Sequence, residues 1–287
     1  MKESINFGYL PDEFSSAENS GIVIVPVAYD GTSTWMKGAD KGPGAIIEAS
    51  ANMELYDIET DSEVYKRGIF TDETIGGKIT TREMIDAVHD AVQYYLEEGK
   101  FTIVIGGEHS ISIGSIKAHA KQSDKLTVLQ LDAHADLRDE YNGSKYNHAC
   151  VMARAKEFCP IVQVGIRSMS SSELESADRS RMFLAKDIHD NTGWIKKVIS
   201  KLSDNVYITV DLDAFDPSIV PSTGTPEPGG FMWYEVLTFL RTVSNEKNVV
   251  GFDVAELCPD SNNKAPDFLA AKLIYKLLSY KFGGRNG

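Results

Sequence analysis

The feature that most restricts the fold of this chain is a series of short runs rich in Val, Ile and Leu, several of which lead without a turn into Asp, His or Glu. The runs are IVIVPVAY (22–29), FTIVIG (101–106), LTVLQLD (126–132), IVQVGIR (161–167), RMFLA (181–185), VYITVDLD (206–213) and VVGFDVAE (249–256), with a weaker one at RGIF (67–70). Runs of this length that are almost wholly apolar suit strands buried on both faces, as in a parallel sheet. Helical periodicity fills the intervals, over 43–56, 81–98, 111–121, 148–158, 191–202, 232–246 and 265–281. The segment starting at Thr81 has a capping-type start and stops at Gly99, as a strand-to-helix-to-strand unit requires. Alternation of this kind predicts an α/β fold with a mostly parallel sheet of about eight strands.

With 287 residues, 42% of them hydrophobic, the chain can bury a large core, and the absence of a linker or repeat favours one domain over 1–287. No stretch reaches the roughly 20 consecutive apolar residues of a membrane span, and the start, MKESINFGYLPDEF, has no apolar leader core. The expectation is a cytoplasmic protein with no membrane contact. Cys150, Cys159 and Cys258 are odd in number and fit neither a zinc knuckle nor a disulfide framework, so they read as reduced, packed thiols. A formal charge of −13 argues against nucleic acid and mildly favours a cationic small molecule.

Parallel sheets bind ligands beyond the carboxyl ends of their strands. At those ends FTIVIG leads into GEHS with His109, and LTVLQL into DAHAD with Asp132, His134 and Asp136. VYITV leads into DLDAFDP with Asp211, Asp213 and Asp216, and VVGFDVA into Glu256. If the strand ran on through DAHAD, its alternate side chains would share one face. Leaving several such carboxylates unpaired would carry a desolvation penalty on the order of several kcal/mol per ion. Metal cations resolve the difficulty. Carboxylates with imidazole and no thiolate point to Mn(II), with Mg, Fe, Co, Ni or Zn also chemically suited. Six side chains are too many for one catalytic ion with an open position and suit two ions sharing carboxylates, which would generate hydroxide from a bridging water at neutral pH.

Each piece also has a plainer reading. A lone Asp-x-Asp at a strand end often only caps the next turn, and the signal lies in the combination of three strands. His148, in KYNHACVM, is either a helix-start histidine with one local hydrogen bond or a proton shuttle beside the metals. His89, His119 and His189 receive no role, and Glu108 and Asp216 read as a cap and a turn former or as groups that orient ligands. The loop PSTGTPEPGG (221–230) is expected to wall the site.

GGEHS, DAHAD, DLDAFDPS and VAELCP, in this order, resemble the ureohydrolase family, which includes arginases and agmatinases, and the resemblance runs from GIVIVPVAYDGTSTWMKGADKGPGAI to the last helix. It implies a three-layer α/β/α fold with an eight-stranded parallel sheet and two Mn(II) ions per chain. One ion would take His109, Asp132, Asp136 and Asp211, and the other Asp132, His134, Asp211 and Asp213. A metal-bridging hydroxide would attack a guanidinium carbon to release urea and an amine. Asp136 would steady the intermediate, Glu256 would pair with the guanidinium, and His148 would relay protons to the leaving amine. Homo-trimers or homo-hexamers are the expected assemblies.

Within the family the chain looks most like the agmatinases. DGTSTWMKGADKGPGAI resembles the loop through which their substrate enters, and DLRDEYNGSKYNHACVM lacks the Ser- and Asn-bearing loop that grips a carboxylate in arginases. GIRSMSSSE places Ser170 near the site of the arginase acid that binds an α-amino group. The resemblance therefore implies agmatine, a small cationic guanidino substrate, converted to putrescine and urea in polyamine biosynthesis. Ala149 and Glu108 depart from the family's usual Gly and Asp. A carboxylate-bearing substrate such as guanidinobutyrate or formiminoglutamate would need a positive pocket residue, for which Arg138 and Arg154 are the candidates. Guanidine hydrolysis and a silent metal-binding homologue are further alternatives. A phosphoesterase would need a phosphate cradle, which is missing.

Overall fold

The computed structural model describes residues 6–77, 79–189, 191 and 193–283. Residues 1–5, part of the start read above for a leader, and Thr192, inside the helix expected over 191–202, lie outside the described residues. The strands are β1 (Ile22–Ala28), β2 (Ile69–Thr71), β3 (Ile75–Gly76), β4 (Phe101–Gly106), β5 (Leu126–Leu131), β6 (Ile161–Ile166), β7 (Met182–Leu184), β8 (Asn205–Asp211) and β9 (Asn248–Ala255). The helices are α1 (Gly42–Ser50), α2 (Thr81–Glu97), α3 (Ser112–Gln122), α4 (Val151–Ala155), α5 (Ala185–Ile188), α6 (Trp194–Ile199), α7 (Trp233–Glu246) and α8 (Ala265–Phe282). None of the described helices is long and apolar enough to cross a membrane.

All strands join one parallel sheet in the order β2-β1-β4-β9-β8-β5-β6-β7, with the two-residue β3 pairing beside β2 on β1. Side chains alternate faces along each strand, and the two faces feed separate cores. Ile22 and Ile24 of β1 pack with Ile46 of α1, Val198 of α6, Leu237 of α7 and Leu278 of α8. Val23, Val25 and Val27 pack with Met84 and Val88 of α2, Ile116 of α3 and Met152 of α4. The result is an α/β/α sandwich. The capping box expected at α2 forms: the Glu83 N–H donates to Thr80 Oγ1 at 3.2 Å, and the Thr80 N–H donates to Glu83 Oε2 at 2.7 Å.

The chain completes β4, crosses to β5, and later inserts β9 and β8 between them. This is the switch point at which parallel sheets open a crevice, and it makes neighbours of the four strands that end in His, Asp and Glu. Some boundaries differ from expectation. The helix expected over 148–158 is a 3₁₀ turn (His148–Cys150) followed by α4, because its tail 156–158 is turn rather than helix. Strand β5 ends at Leu131, so Asp132, His134 and Asp136 do not share a strand face. Strand β8 ends at Asp211, and Asp213 stands on a 3₁₀ turn (Leu212–Ala214).

Candidate metal centre

Since the strand pleat does not converge the side chains of DAHAD, local hydrogen bonds must. The His134 N–H donates to Asp132 Oδ1 at 2.6 Å, folding the segment back on itself. Asp136 then takes a left-handed backbone, φ 52°, a conformation that costs a non-glycine residue about 1–2 kcal/mol. Glu256 is left-handed too, at φ 68°. Strained backbone at two of the site's own acids is the pattern seen where positioning outweighs local stability. At the end of β8, the Asp213 N–H donates to Asp211 Oδ1 at 2.8 Å, and the Ala133 N–H donates to Asp213 Oδ1 at 3.0 Å. Asp211 and Asp213 each give one oxygen to the backbone and turn the other, Oδ2, toward a histidine.

Two donor groups result. His109 Nδ1 lies 3.0 Å from Asp136 Oδ2, 3.2 Å from Asp132 Oδ2 and 3.4 Å from Asp211 Oδ2. His134 Nδ1 lies 2.8 Å from Asp213 Oδ2 and 3.7 Å from Asp132 Oδ1. Donor atoms of His109, Asp132 and Asp211 fall within 4.8 Å of one another, as do those of Asp132, His134 and Asp213. Asp132 belongs to both, one oxygen facing each histidine, and Asp136 adjoins the first through His109. Gln130 steadies Asp132, its Nε2 donating to Oδ2 at 2.7 Å.

Burial sets the electrostatics. It raises the pKa of Asp211 and Glu256 well above the carboxylate range, the neighbouring acids Asp213 and Asp132 adding to it at Asp211 and Glu108 at Glu256. Burial, then the charge of Asp132, lifts Asp136 to about 7. At His134 the opposite balance holds: burial disfavours its charge, but Asp213 and Asp132 outweigh this and push it up to about 12. The same contest, won by Asp132 and Asp136, raises His109. Without a cation, the acids are eased only by holding protons themselves and by charging both histidines, protons that a bound cation would displace. Three carboxylates and two imidazoles, with Asp136 beside them and no thiolate in either group, are a donor set that fits two divalent cations of the Mn(II) type.

The centre forms the floor of a cavity of about 490 Å³ whose wall includes Trp35, Arg138, Tyr141, His148, Gly224 and Glu256. Glu256 is fixed there by the His109 N–H, which donates to its Oε1 at 2.7 Å. Gly224 lies close beside it: a Cβ there would stand 3.2 Å from Glu256 Oε2, and the carboxylate would have to give by a few tenths of an ångström. The loop 221–230 thus walls the cavity. His148 Nδ1 lies 3.1 Å from Thr32 Oγ1, which also accepts the His148 N–H at 2.9 Å. Burial, then the charges of His109 and His134, holds His148 down to about 4, so its ring is neutral near pH 7. Glu108 caps the turn carrying His109 by accepting from the Ser110 N–H and hydroxyl. Asp216 accepts from the N–H groups of Ser218, Gly229 and Gly230 and pins the wall loop.

Of the two arginines considered for a substrate carboxylate, Arg154 lies outside this cavity, its Nη2 2.5 Å from Asp139 Oδ1. Arg138 lies at the cavity, stacked over Tyr141 at 4.2 Å with Nε 3.7 Å from Glu173 Oε2. Sequence reasoning passed over Thr32, Gln130, Glu173 and Glu227, whose Oε1 stands 3.8 Å from His134 Nε2. Only Gln130 carried a usable signal, as a lone amide in the apolar run LTVLQL.

Known proteins resemble this chain along most of its length. The profile described as the arginase family matches residues 20–279. The N(1)-aminopropylagmatine ureohydrolase of Synechocystis sp. is 38% identical over 94% of this chain and 92% of its own length. The agmatinase of Pyrococcus horikoshii is 31% identical over 91% of this chain and 92% of its own. The crystal structure of the agmatine ureohydrolase of Thermoplasma volcanium superimposes with a TM-score of 0.88 at 30% identity, covering 99% of this chain and 96% of that one.

Proposed function

The chain belongs to the arginase family and is a hydrolase of amidino C–N bonds, and from that premise we propose that its substrate is an amine-terminated guanidinoalkane with no carboxylate. Agmatine is the first reading, cleaved to putrescine and urea. The observation that carries it is the pair of His–carboxylate groups sharing Asp132 on the floor of a cavity whose one lining arginine, Arg138, is already matched by Glu173 and Tyr141.

His109, Asp132, Asp136 and Asp211 would hold one Mn(II), and Asp132, His134, Asp211 and Asp213 the other. Such a pair, when bound, would supply the Lewis acidity that makes water a nucleophile near neutral pH. Glu256 offers a carboxylate to the planar guanidinium, held steady by its bond from the His109 N–H. Asp136 accepts from the amino groups of the carbon as it becomes tetrahedral. His148, neutral near pH 7 and held by Thr32, takes at a ring nitrogen the proton given up by the attacking water and passes it to the leaving amine.

A second reading, N(1)-aminopropylagmatine, is supported by the Synechocystis relative of that name and by a cavity that continues from Glu256 outward to Trp35 and Tyr141. Urea release by the Mn-loaded protein, measured with agmatine, N(1)-aminopropylagmatine, arginine and 4-guanidinobutyrate at equal concentration, tests both. Turnover of either amine-terminated compound with little from the two carboxylates is the expected result. Preference for 4-guanidinobutyrate would overturn the reading and make Arg138 the carboxylate receptor.

A further inference from the structure

Beneath the centre, on the side of His109 away from the carboxylates, runs a buried chain of hydroxyls that ends on an acid the reaction does not use. His109 Nε2 is 2.8 Å from Thr209 Oγ1. The Thr209 hydroxyl donates to Asp253 Oδ1 at 2.7 Å, and Ser112 donates to the same oxygen at 2.8 Å. Tyr207 donates to Asp253 Oδ2 at 2.7 Å, and its own oxygen lies 2.7 Å from the Ser115 hydroxyl. Thr209, Asp253, Ser112 and Tyr207 are wholly buried.

Counting protons gives the chain a direction. A hydroxyl has one proton to donate. If Asp253 is ionised it can only accept, so Thr209 spends its proton on Asp253 and has only a lone pair left for His109. In the neutral ring the nitrogen facing it, Nε2, must then carry the one imidazole proton, and the Nδ1 lone pair, in place of the second proton that the carboxylates favour without metal, faces Asp132, Asp136 and Asp211. A protonated Asp253 would let the chain run backwards through Ser112 and Thr209 and place an N–H in the middle of the donor group instead. Burial raises the pKa of Asp253, and the charge of His109 and three donated hydroxyl bonds oppose that penalty and favour the ionised form.

We propose that Asp253 is a positioning residue which, through the Thr209 hydroxyl, holds His109 in the tautomer that presents Nδ1 as a metal ligand. The inference rests on the reading of the centre as a two-cation site. Orienting partners of this kind govern metal affinity by 10–100-fold when removed, on the order seen for outer-shell groups generally.

The test is Mn(II) binding to the full-length protein, measured by competition with a chromophoric chelator for wild type, Asp253→Asn, Thr209→Val and Thr209→Ser. The thermal midpoint of each metal-free variant is recorded alongside. The expected result is that Asp253→Asn and Thr209→Val weaken one of the two binding events by about 10–100-fold and spare the other, while Thr209→Ser, which keeps the hydroxyl, binds as wild type does. Two tight sites in both Asn and Val variants would overturn the inference and leave the metal centre standing. Equal weakening in Thr209→Val and Thr209→Ser would also overturn it, since packing rather than the hydroxyl would then be at work. A wild-type chain that binds no Mn(II) would overturn the underlying metal reading itself, and this inference with it.

Discussion

Asp132 and His148 illustrate what single residues contribute. Asp132 is wholly buried, and its two oxygens face different histidines, so neither donor group is complete without it. His148 touches neither group within hydrogen-bond distance and is tied to Thr32 on the loop after β1. Its task can therefore be separated from metal binding. Replacing His148 by Asn should leave Mn(II) content and KM near wild type while kcat falls by roughly 10²–10⁴-fold, the usual contribution of a placed acid–base group. Loss of bound metal in that variant, measured by elemental analysis, would make His148 a structural support instead. The types and positions of His109, Asp132, Asp136, Asp211, Asp213 and Glu256 were legible because each follows an apolar strand end. The means of convergence was not. It depends on the left-handed turn at Asp136 and on N–H bonds to single carboxylate oxygens, neither of which leaves a periodic trace.

The elements that read most clearly were the strands buried on both faces and the long amphipathic helix α2, where periodicity extends over many residues. Strand β3, with two residues, and α5, with four, are too short to show a period and are held by their neighbours. The turn from β4 into His109 shows why an element ends where it does. A Cβ on Gly107 would lie 1.8 Å from the carbonyl oxygen of Tyr29, so only glycine lets this turn close against the end of β1. The Gly107 N–H donates to Val27 O, and the Glu108 N–H to Tyr29 O, fastening the approach. Gly107→Ala must therefore displace backbone. We expect it to destabilise the fold by about 1–3 kcal/mol, as overpacking does, and to weaken Mn(II) binding through His109. A thermal midpoint and metal content both equal to wild type would show that the loop yields freely.

At the scale of the whole molecule, the sheet order β4-β9-β8-β5 gathers chemistry from residues 109 to 256 at one edge, and this order could not be read from the chain because crossovers leave no local mark. A purely structural histidine packs against the same central strands. His119, on α3, is 1% exposed, its ring 4.6 Å from that of Tyr207, with Nδ1 2.9 Å from Ser115 O and Nε2 3.2 Å from Thr102 Oγ1. Gly251 of β9 makes room for it, since a Cβ there would fall 2.2 Å from Nε2. Burial lowers its pKa to about 4, only partly opposed by bonds to the backbone. A histidine whose folded pKa lies below its unfolded value of about 6.5 binds more protons when unfolded, so its contribution is fully present above pH 6.5 and is lost as pH falls toward 4. The difference of about 2.5 units corresponds to something on the order of 3 kcal/mol. In metal-free protein, where the cations do not add their own pH dependence, the stability of wild type should fall more steeply than that of His119→Gln between pH 6.5 and pH 4. Urea midpoints across that range measure it: the two curves should draw together as the solution is acidified. Parallel curves would mean that His119 is already protonated in the fold, and that the core between α3 and the central strands holds a charge.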